Sequence, residues 1–281
     1  MPVAPAFGLT ASDLDAIAAL ERRVVAHDGG RLKLEWNRLR SRSGERAEDV
    51  LAWSDDGRLV GFAGLYGYGA AIEIAGMVDP AERRQGLGGA LLDAALALCS
   101  QAGVTAPLLI VARESAGGRA LAATRGGDLH HSEHALVLRG EPTDGPSDPG
   151  ITLRPAQVAD VAGILRVLSA GFGFAPADLG DRLVEPGVRT LVIERDDELV
   201  GTMRVRHEGS TGGVWGFAVD PAWRGQGIGR DALRRACRQL REQGATQIGL
   251  EVEVENDRAL GLYTSLGFTP VVTEDYWRLS G

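Results

Sequence analysis

The second half of the chain carries its clearest periodicities. Residues 191–194 and 199–205 are apolar-rich and flank Asp196-Asp197-Glu198, which predicts two paired strands around a polar turn. Residues 214–219 form a short apolar run ending at Asp220-Pro221, as a buried strand does. The period then changes. Ala232, Leu233, Ala236, Cys237 and Leu240 recur at helical spacing, Arg234, Arg235, Arg238 and Arg241 face elsewhere, and Gly244 stops the helix. Leu250, Val252 and Val254 next alternate with Glu251, Glu253 and Glu255, the pattern of a strand with one buried face. Asn256-Asp257 predicts the cap of a short helix through Leu266, which Gly267 closes before a last strand near residues 271–279.

The first half repeats part of this order. Residues 78–88, VDPAERRQGLG, recur as 219–229, VDPAWRGQGIG, with eight of eleven positions identical at an offset of 141. Upstream, DDGRLVG at 55–61 echoes DDELVG at 196–201. Two matching blocks in the same order indicate a duplicated domain. Residues 139–150, RGEPTDGPSDPG, are dense in turn formers and read as a linker. The expected division is a first domain at 1–140, a linker at 141–150 and a second domain at 151–281. The expected class is α/β, each half a mixed sheet flanked by helices. An uncharged run from Ala94 to Ala112 is nearly long enough to cross a bilayer. Ser100, Gln101, Gly103, Thr105 and Pro107 interrupt it, so it predicts a helix, a turn and a buried strand instead.

The repeated Arg-x-x-Gly-x-Gly lies between a strand and a helix. Glycine lets the backbone approach a ligand closely, and a helix N-terminus offers unpaired N–H groups to a pyrophosphate. Gly227-Ile-Gly229-Arg-Asp-Ala232 also fits a dinucleotide pattern, with Glu251 at a plausible distance for a ribose. Against that reading, the first copy has Leu91 in place of the third small residue. Seven residues, 220–226, also intervene between strand and glycine, and little chain follows Glu251. No Gly-Lys-[Ser/Thr] occurs, so a Walker phosphate loop is excluded.

These blocks, followed by Leu250-Glu-Val252, Asn256-Asp-Arg-Ala259 and Leu262-Tyr-Thr-Ser-Leu-Gly-Phe268, resemble the GNAT superfamily of acyl-CoA-dependent N-acetyltransferases. The resemblance implies two tandem domains of that fold and acetyl-CoA as co-substrate. It assigns the pantetheine arm to Phe217, Ala218 and Val219, with Asn256 also on the arm. The pyrophosphate falls to Arg224, Gly225, Gln226, Gly227, Ile228, Gly229 and Arg230. Tyr263 takes the position of the acid that protonates the departing thiolate, a role its ordinary pKa near 10 suits. Members often place a glutamate on the strand before the glycine turn, but residues 213–218, GVWGFA, hold no acid. The base is therefore open. Glu251 and Glu253 are the nearest replacements, or simply part of a solvated acidic face, and His207 is a further candidate by pKa.

The first copy keeps Val78, Arg83, Arg84, Gln85, Gly86, Leu87, Gly88 and Gly89, which the resemblance marks as cofactor-binding. Its later half reads GGRALAATRGG at 117–127, without the asparagine and tyrosine, so it is expected to be non-catalytic. Glu73 precedes its glycine turn and is read as structural. His130, His131 and His134 lack a helical ligand pair, and no metal is expected.

Composition changes the picture only by exclusion. With 30 Lys+Arg against 38 Asp+Glu the net charge is −8, and no basic patch points to nucleic acid or an anionic membrane. Lys33 is the only lysine, so a Schiff-base mechanism has almost no candidate. Two cysteines cannot make a disulfide framework or a Cys-based zinc site. MPVAPAFGLT lacks the features of a signal peptide, so a cytoplasmic protein is expected. The expected partner is a small-molecule amine, and the chain is a monomer or homodimer. A non-catalytic acyl-CoA-binding regulatory module is the alternative from another class.

Overall fold

The computed structural model describes residues 2–68, 71–173, 179–183, 185 and 187–279. The first half of the chain runs β1 (Val3–Ala6), α1 (Ala11–Asp28), α2 (Trp36–Arg40), β2 (Asp49–Trp53), β3 (Leu59–Tyr68), β4 (Ala71–Val78), α3 (Leu87–Gln101), β5 (Leu108–Ala112), α4 (Ala116–Thr124) and β6 (Asp128–Leu138). The second runs β7 (Ile151–Pro155), α5 (Val161–Phe172), α6 (Leu179–Arg182), β8 (Val188–Arg195), β9 (Glu198–Glu208), β10 (Thr211–Val219), α7 (Ile228–Glu242), β11 (Gln247–Glu253), α8 (Asp257–Ser265) and β12 (Thr269–Arg278). The uncharged run at 94–112 is the end of α3, a turn and β5, and no helix among the described residues is long and apolar enough to cross a membrane.

The chain divides into two compact units whose boundaries differ from the division drawn from sequence. Unit 1 is Met1–Glu133 with Val272–Gly281, and unit 2 is His134–Val271. In unit 1 the strand order is β1-β2-β3-β4-β5-β12, antiparallel except for the parallel β4–β5 pair. In unit 2 it is β7-β8-β9-β10-β11, with the end of β6 beside β11 and only β10–β11 shown parallel. The sixth strand of each unit thus comes from the other copy of the repeat. Sequence similarity ends before those strands, which is why it placed the boundary at the linker.

Each sheet is covered on both faces, as a mixed α/β layer requires. In unit 2, α7 packs Ala232, Leu233, Ala236, Cys237 and Leu240 against Met203, Val205, Val214, Leu250 and Val252. On the other face α5 packs Ile164, Val167 and Leu168 against Val192 and Ala218. Both cysteines are free and buried, and burial pushes their thiols up to about 11 for Cys99 and about 12 for Cys237.

The arginines of α7 do more than face away from the core. Arg234 Nε donates to Thr143 O at 3.0 Å, and Arg235 Nη1 donates to Ile151 O at 2.7 Å. Arg238 pairs with Asp144, and Arg241 Nη2 donates to Leu138 O at 3.1 Å. Arg234 Nη1 also donates to Pro146 O at 3.0 Å and Arg235 Nη2 to Asp148 O at 2.7 Å, so the guanidiniums supply donors to a turn-rich segment that has no ladder of its own. It is a strap fixed along α7.

Candidate active site

The parallel pairing of β10 with β11 runs from Thr211↔Gln247 to Gly213↔Gly249, and the two strands then part. Within the diverging stretch, β10 breaks its register with β9. Trp215 faces Arg204 and Ala218 faces Thr202, so Gly216 and Phe217 together oppose the single residue Met203. This is a β-bulge with glycine in the left-handed region, Gly216 having φ +57°. The extra residue is left unpaired and the strand bends, which exposes backbone groups beside the opening.

The chain next makes a tight turn. Asp220 accepts the N–H of Ala222 at 3.0 Å and starts a short 3-10 turn, while Arg224 Nε donates back to Val219 O at 2.9 Å. Gly225 and Gly227 both have φ +82°, where glycine alone carries no strain, and Gly227 is the N-cap of α7. No side chain caps that helix, and its first N–H groups remain for a ligand. Gly229 lies so near β10 that a Cβ would meet Phe217 Cζ at 3.3 Å and Val219 Cγ2 at 3.5 Å. Ile228 is buried, Gln226 is exposed, and Arg230 Nε donates to Ser265 Oγ on α8 at 3.1 Å.

Helix α8 closes the other side. Asn256 caps it, its side-chain oxygen accepting from Ala259 N at 3.1 Å. Tyr263 is 8% exposed, and burial pushes its phenol up to about 12. Its ring centroid is 6.5 Å from that of Phe217 and 6.2 Å from that of Phe268. The bulge, the glycine turn and Tyr263 are therefore one neighbourhood.

The candidate bases do not all belong to it. Leu250 and Val252 face α7, so alternation along β11 puts Glu251 and Glu253 on the opposite face, Glu251 half-buried and Glu253 exposed. His207 lies elsewhere: its Nε2 sits 3.9 Å from the Cβ position of Gly244, beyond the C-terminal end of α7 and about 22 Å along that helix from the glycine turn.

Sequence reasoning missed two sets of residues. Arg258 Nη2 comes within 3.8 Å of the Gly225 Cβ position, a guanidinium beside the glycine turn. Arg204 and Arg206 share Glu185, at 2.5 Å and 3.2 Å, and each guanidinium carbon is 5.3 Å from the Trp215 ring centroid. The signal was present in the Arg-x-Arg alternation of β9, which puts both on one face.

Unit 1 shares the turn but little of what surrounds it. Gly86 has φ +85° and caps α3, and Arg83 Nε donates to Val78 O at 3.1 Å while its fork binds Asp28. Gln85 contacts Glu82, Leu87 is buried, and Gly88 adjoins Leu121 and Val78. A Cβ on Gly89 would come 3.2 Å from Arg125 Nη2. Arg84 holds φ +65°. Glu73 is half-buried in the β3–β4 ladder opposite Tyr66. His131 stacks on Tyr276, and among the described residues no group of three or more His, Cys, Asp or Glu is arranged to hold a metal.

The Acetyltransferase (GNAT) family model matches residues 16–126 and 169–268, and the chain belongs to that family as a tandem N-acetyltransferase. It is 32% identical to a mycothiol acetyltransferase of Kineococcus radiotolerans, over 92% of this chain and 91% of that protein. It is 32% identical to one of Streptomyces coelicolor, over 96% and 93%. In fold it resembles a GCN5-related N-acetyltransferase from Sphaerobacter thermophilus, with a TM-score of 0.80 at 19% identity over 99% of this chain and 95% of that one. A tandem GNAT protein from the clavulanic acid biosynthesis pathway gives a TM-score of 0.72 at 18% identity, over 99% and 98%.

Proposed function

We propose that unit 2 moves an acetyl group from acetyl-CoA to the primary amine of a small molecule by direct attack. The observation that carries this reading is the Gly216–Phe217 bulge, set beside the uncapped start of α7 and the Tyr263 ring. The residues fit the cofactor. Among the described residues nothing lies within 4 Å of the Gly227 Cβ position, and the first turn of α7 offers its N–H groups to a pyrophosphate there. Arg224, Gly225, Gln226, Ile228, Gly229, Arg230 and the neighbouring Arg258 complete that end. Phe217, Ala218 and Val219 offer strand backbone to the pantetheine arm, and Asn256 flanks it.

Bound acetyl-CoA supplies the thioester, whose C–S bond breaks as the amide bond forms. Tyr263 holds a proton at Oη for the departing sulfur; the phenol is protonated at neutral pH with or without burial, and burial, by lifting it to about 12, makes it the weaker acid. Glu251 or Glu253 takes the ammonium proton, directly or through water, so that the nitrogen presents a lone pair. Unit 1 is a non-catalytic partner. Its glycine turn, Val78 and Arg83 to Gly89, suits acyl-CoA capture without transfer. A second reading, mycothiol synthase proper, is favoured by the name and near-full-length coverage of the relatives.

The test is acetyl-CoA titration by calorimetry on the intact protein and on a Gly227→Glu, Gly229→Glu double variant. Binding that loses one site in the double variant is expected. A folded wild type that binds no acetyl-CoA would overturn the proposal.

A further inference from the structure

We infer that Arg258 reads the ribose 3′-phosphate of the donor, so that unit 2 takes a full coenzyme A thioester in preference to a 3′-dephosphorylated one. The inference rests on the reading that unit 2 binds acetyl-CoA at its glycine turn, and it names a residue that sets which donors are accepted.

Three guanidiniums gather at that turn. Arg224 ends the 3-10 turn before Gly225, Arg230 is the third residue of α7, and Arg258 is the second residue of α8. All three residues are exposed, and among the described residues none of them pairs with a carboxylate. Two are anchored to protein oxygens, Arg224 Nε to Val219 O at 2.9 Å and Arg230 Nε to Ser265 Oγ at 3.1 Å. Arg258 makes no hydrogen bond or ion pair among the described residues, although Glu255 and Asp257 stand close to it in sequence. Its Nη2 lies 3.8 Å from the Cβ position of Gly225, so the guanidinium reaches from α8 to the turn.

This placement does nothing for the fold. A helix N-terminus is the positive end of its dipole, where anions are favoured and cations are not. Arg230 and Arg258 both sit in the first turn of their helices. Asp231, the acid in the first turn of α7, is engaged by Arg234 and Arg235. Guanidiniums set beside two helix N-termini without counter-charge are stabilised by a ligand with more than one anionic group. The pyrophosphate meets the first N–H groups of α7 and the two anchored guanidiniums. A phosphate monoester carries about −1.5 to −2 at neutral pH and offers three acceptor oxygens, which suits the guanidinium that no protein group holds. In coenzyme A that monoester is the ribose 3′-phosphate.

Unit 1 lacks the set. At the offset of 141 the three positions are Arg83, Gly89 and Gly117. Arg83 gives its fork to Asp28, and Arg125, which stands beside Gly89, gives its own to Asp93. Arg84 remains there without a carboxylate, so unit 1 has less to offer a second phosphate.

The experiment measures the binding of CoA and of 3′-dephospho-CoA to the intact protein by calorimetry. The site of unit 2 is the one that the Gly227→Glu, Gly229→Glu double variant removes. CoA is expected to bind it about tenfold or more tightly than dephospho-CoA. Arg258→Gln should bring the two affinities together by weakening CoA alone, and Arg258→Lys should keep part of the preference. The unfolding temperature of Arg258→Gln should not fall, because a cation leaves a helix N-terminus and no hydrogen bond is lost. Equal affinities in the wild type need no variant to be read. That result, a preference that survives Arg258→Gln, or equal weakening of both ligands would overturn this inference and leave the proposed function standing. A folded wild type that binds neither CoA nor acetyl-CoA would remove both.

Discussion

The two units share eight of eleven residues in the block around the glycine turn and diverge in the strand before it and the helix that follows the second parallel strand. Position by position, β4 carries Ala75 and Gly76 where β10 carries Gly216 and Phe217. The consequence is geometric. β4 pairs with β3 without interruption from Val78 to Ala71, while β10 skips a residue against β9. The helix after the second parallel strand is capped alike in both, by Ser115 and by Asn256, each accepting an N–H three residues on. Seven residues beyond the cap, unit 1 has the fully buried Ala122 and unit 2 has Tyr263. What both keep is the left-handed glycine that starts a helix. The glycine turn thus persists in unit 1 without the bulge and the phenol on which the proposed reaction of unit 2 depends.

The largest test of that difference is Tyr263→Phe. Loss of a positioned acid lowers turnover by about 100-fold or more. The affinity for acetyl-CoA should be unchanged, since the ring and its contact with Phe217 remain. Steady-state rates of CoA release beside calorimetric affinities make the comparison. An undiminished rate would erase the chief distinction between the units.

The same phenol gives a stability signature in alkali. Burial raises the folded-state pKa of Tyr263 to about 12, above the 10 of an exposed tyrosine. The folded form therefore holds the proton more tightly. The stability that follows is complete below pH 10 and is lost as pH rises through about 12, a change on the order of 2–3 kcal/mol. Urea unfolding at pH 9 and pH 11.5 should show a steeper loss in the wild type than in Tyr263→Phe. Parallel losses would mean that the phenol is not buried in the folded protein.

The bulge is tested by exchanging the residues that distinguish the strands. Gly216→Ala places a side chain at φ +57°, and strain of about 1–2 kcal/mol should appear in the denaturation midpoint together with reduced turnover. Ala75→Gly in the regular strand should cost about 1–2 kcal/mol, from chain entropy and the loss of a buried methyl, with turnover unaffected. If neither substitution slows the reaction, the bulge has no special role.

The sequence made the fold class and the glycine turn legible because local chemistry dictates both. Left-handed glycines and alternating Leu250, Val252 and Glu251 mean much the same in any context. The bulge was not legible, since Gly216-Phe217 becomes a two-against-one pairing only when the partner strand supplies Met203. Nor was the exchange of sixth strands, which depends on distant pairing and leaves no periodicity. His207 was chosen on pKa alone, and the length of α7 removes it from the turn. The α7 arginines show the same limit: spacing kept them out of the core, but only the folded strap reveals the carbonyls they serve.

The smallest effect bears on a single residue. At the position of Gly225, unit 1 has Arg84, exposed and held at φ +65°. A left-handed conformation costs a side-chain-bearing residue about 1–2 kcal/mol, while replacing it with glycine costs about 0.4–1 kcal/mol in the unfolded chain. The net for Arg84→Gly is a gain of about 0.5 kcal/mol, read as a rise in Tm of about 1–2 °C. Arg84 lies two residues before Gly86, the N-cap of α3, which no side chain caps. In the proposed reading it adds charge for a diphosphate in unit 1. Arg84→Gly should therefore stabilise the protein while weakening one class of acetyl-CoA sites in calorimetry. A variant that gains stability and binds as before would leave the arginine with no part in ligand capture, and unit 1 with only the turn in common with unit 2.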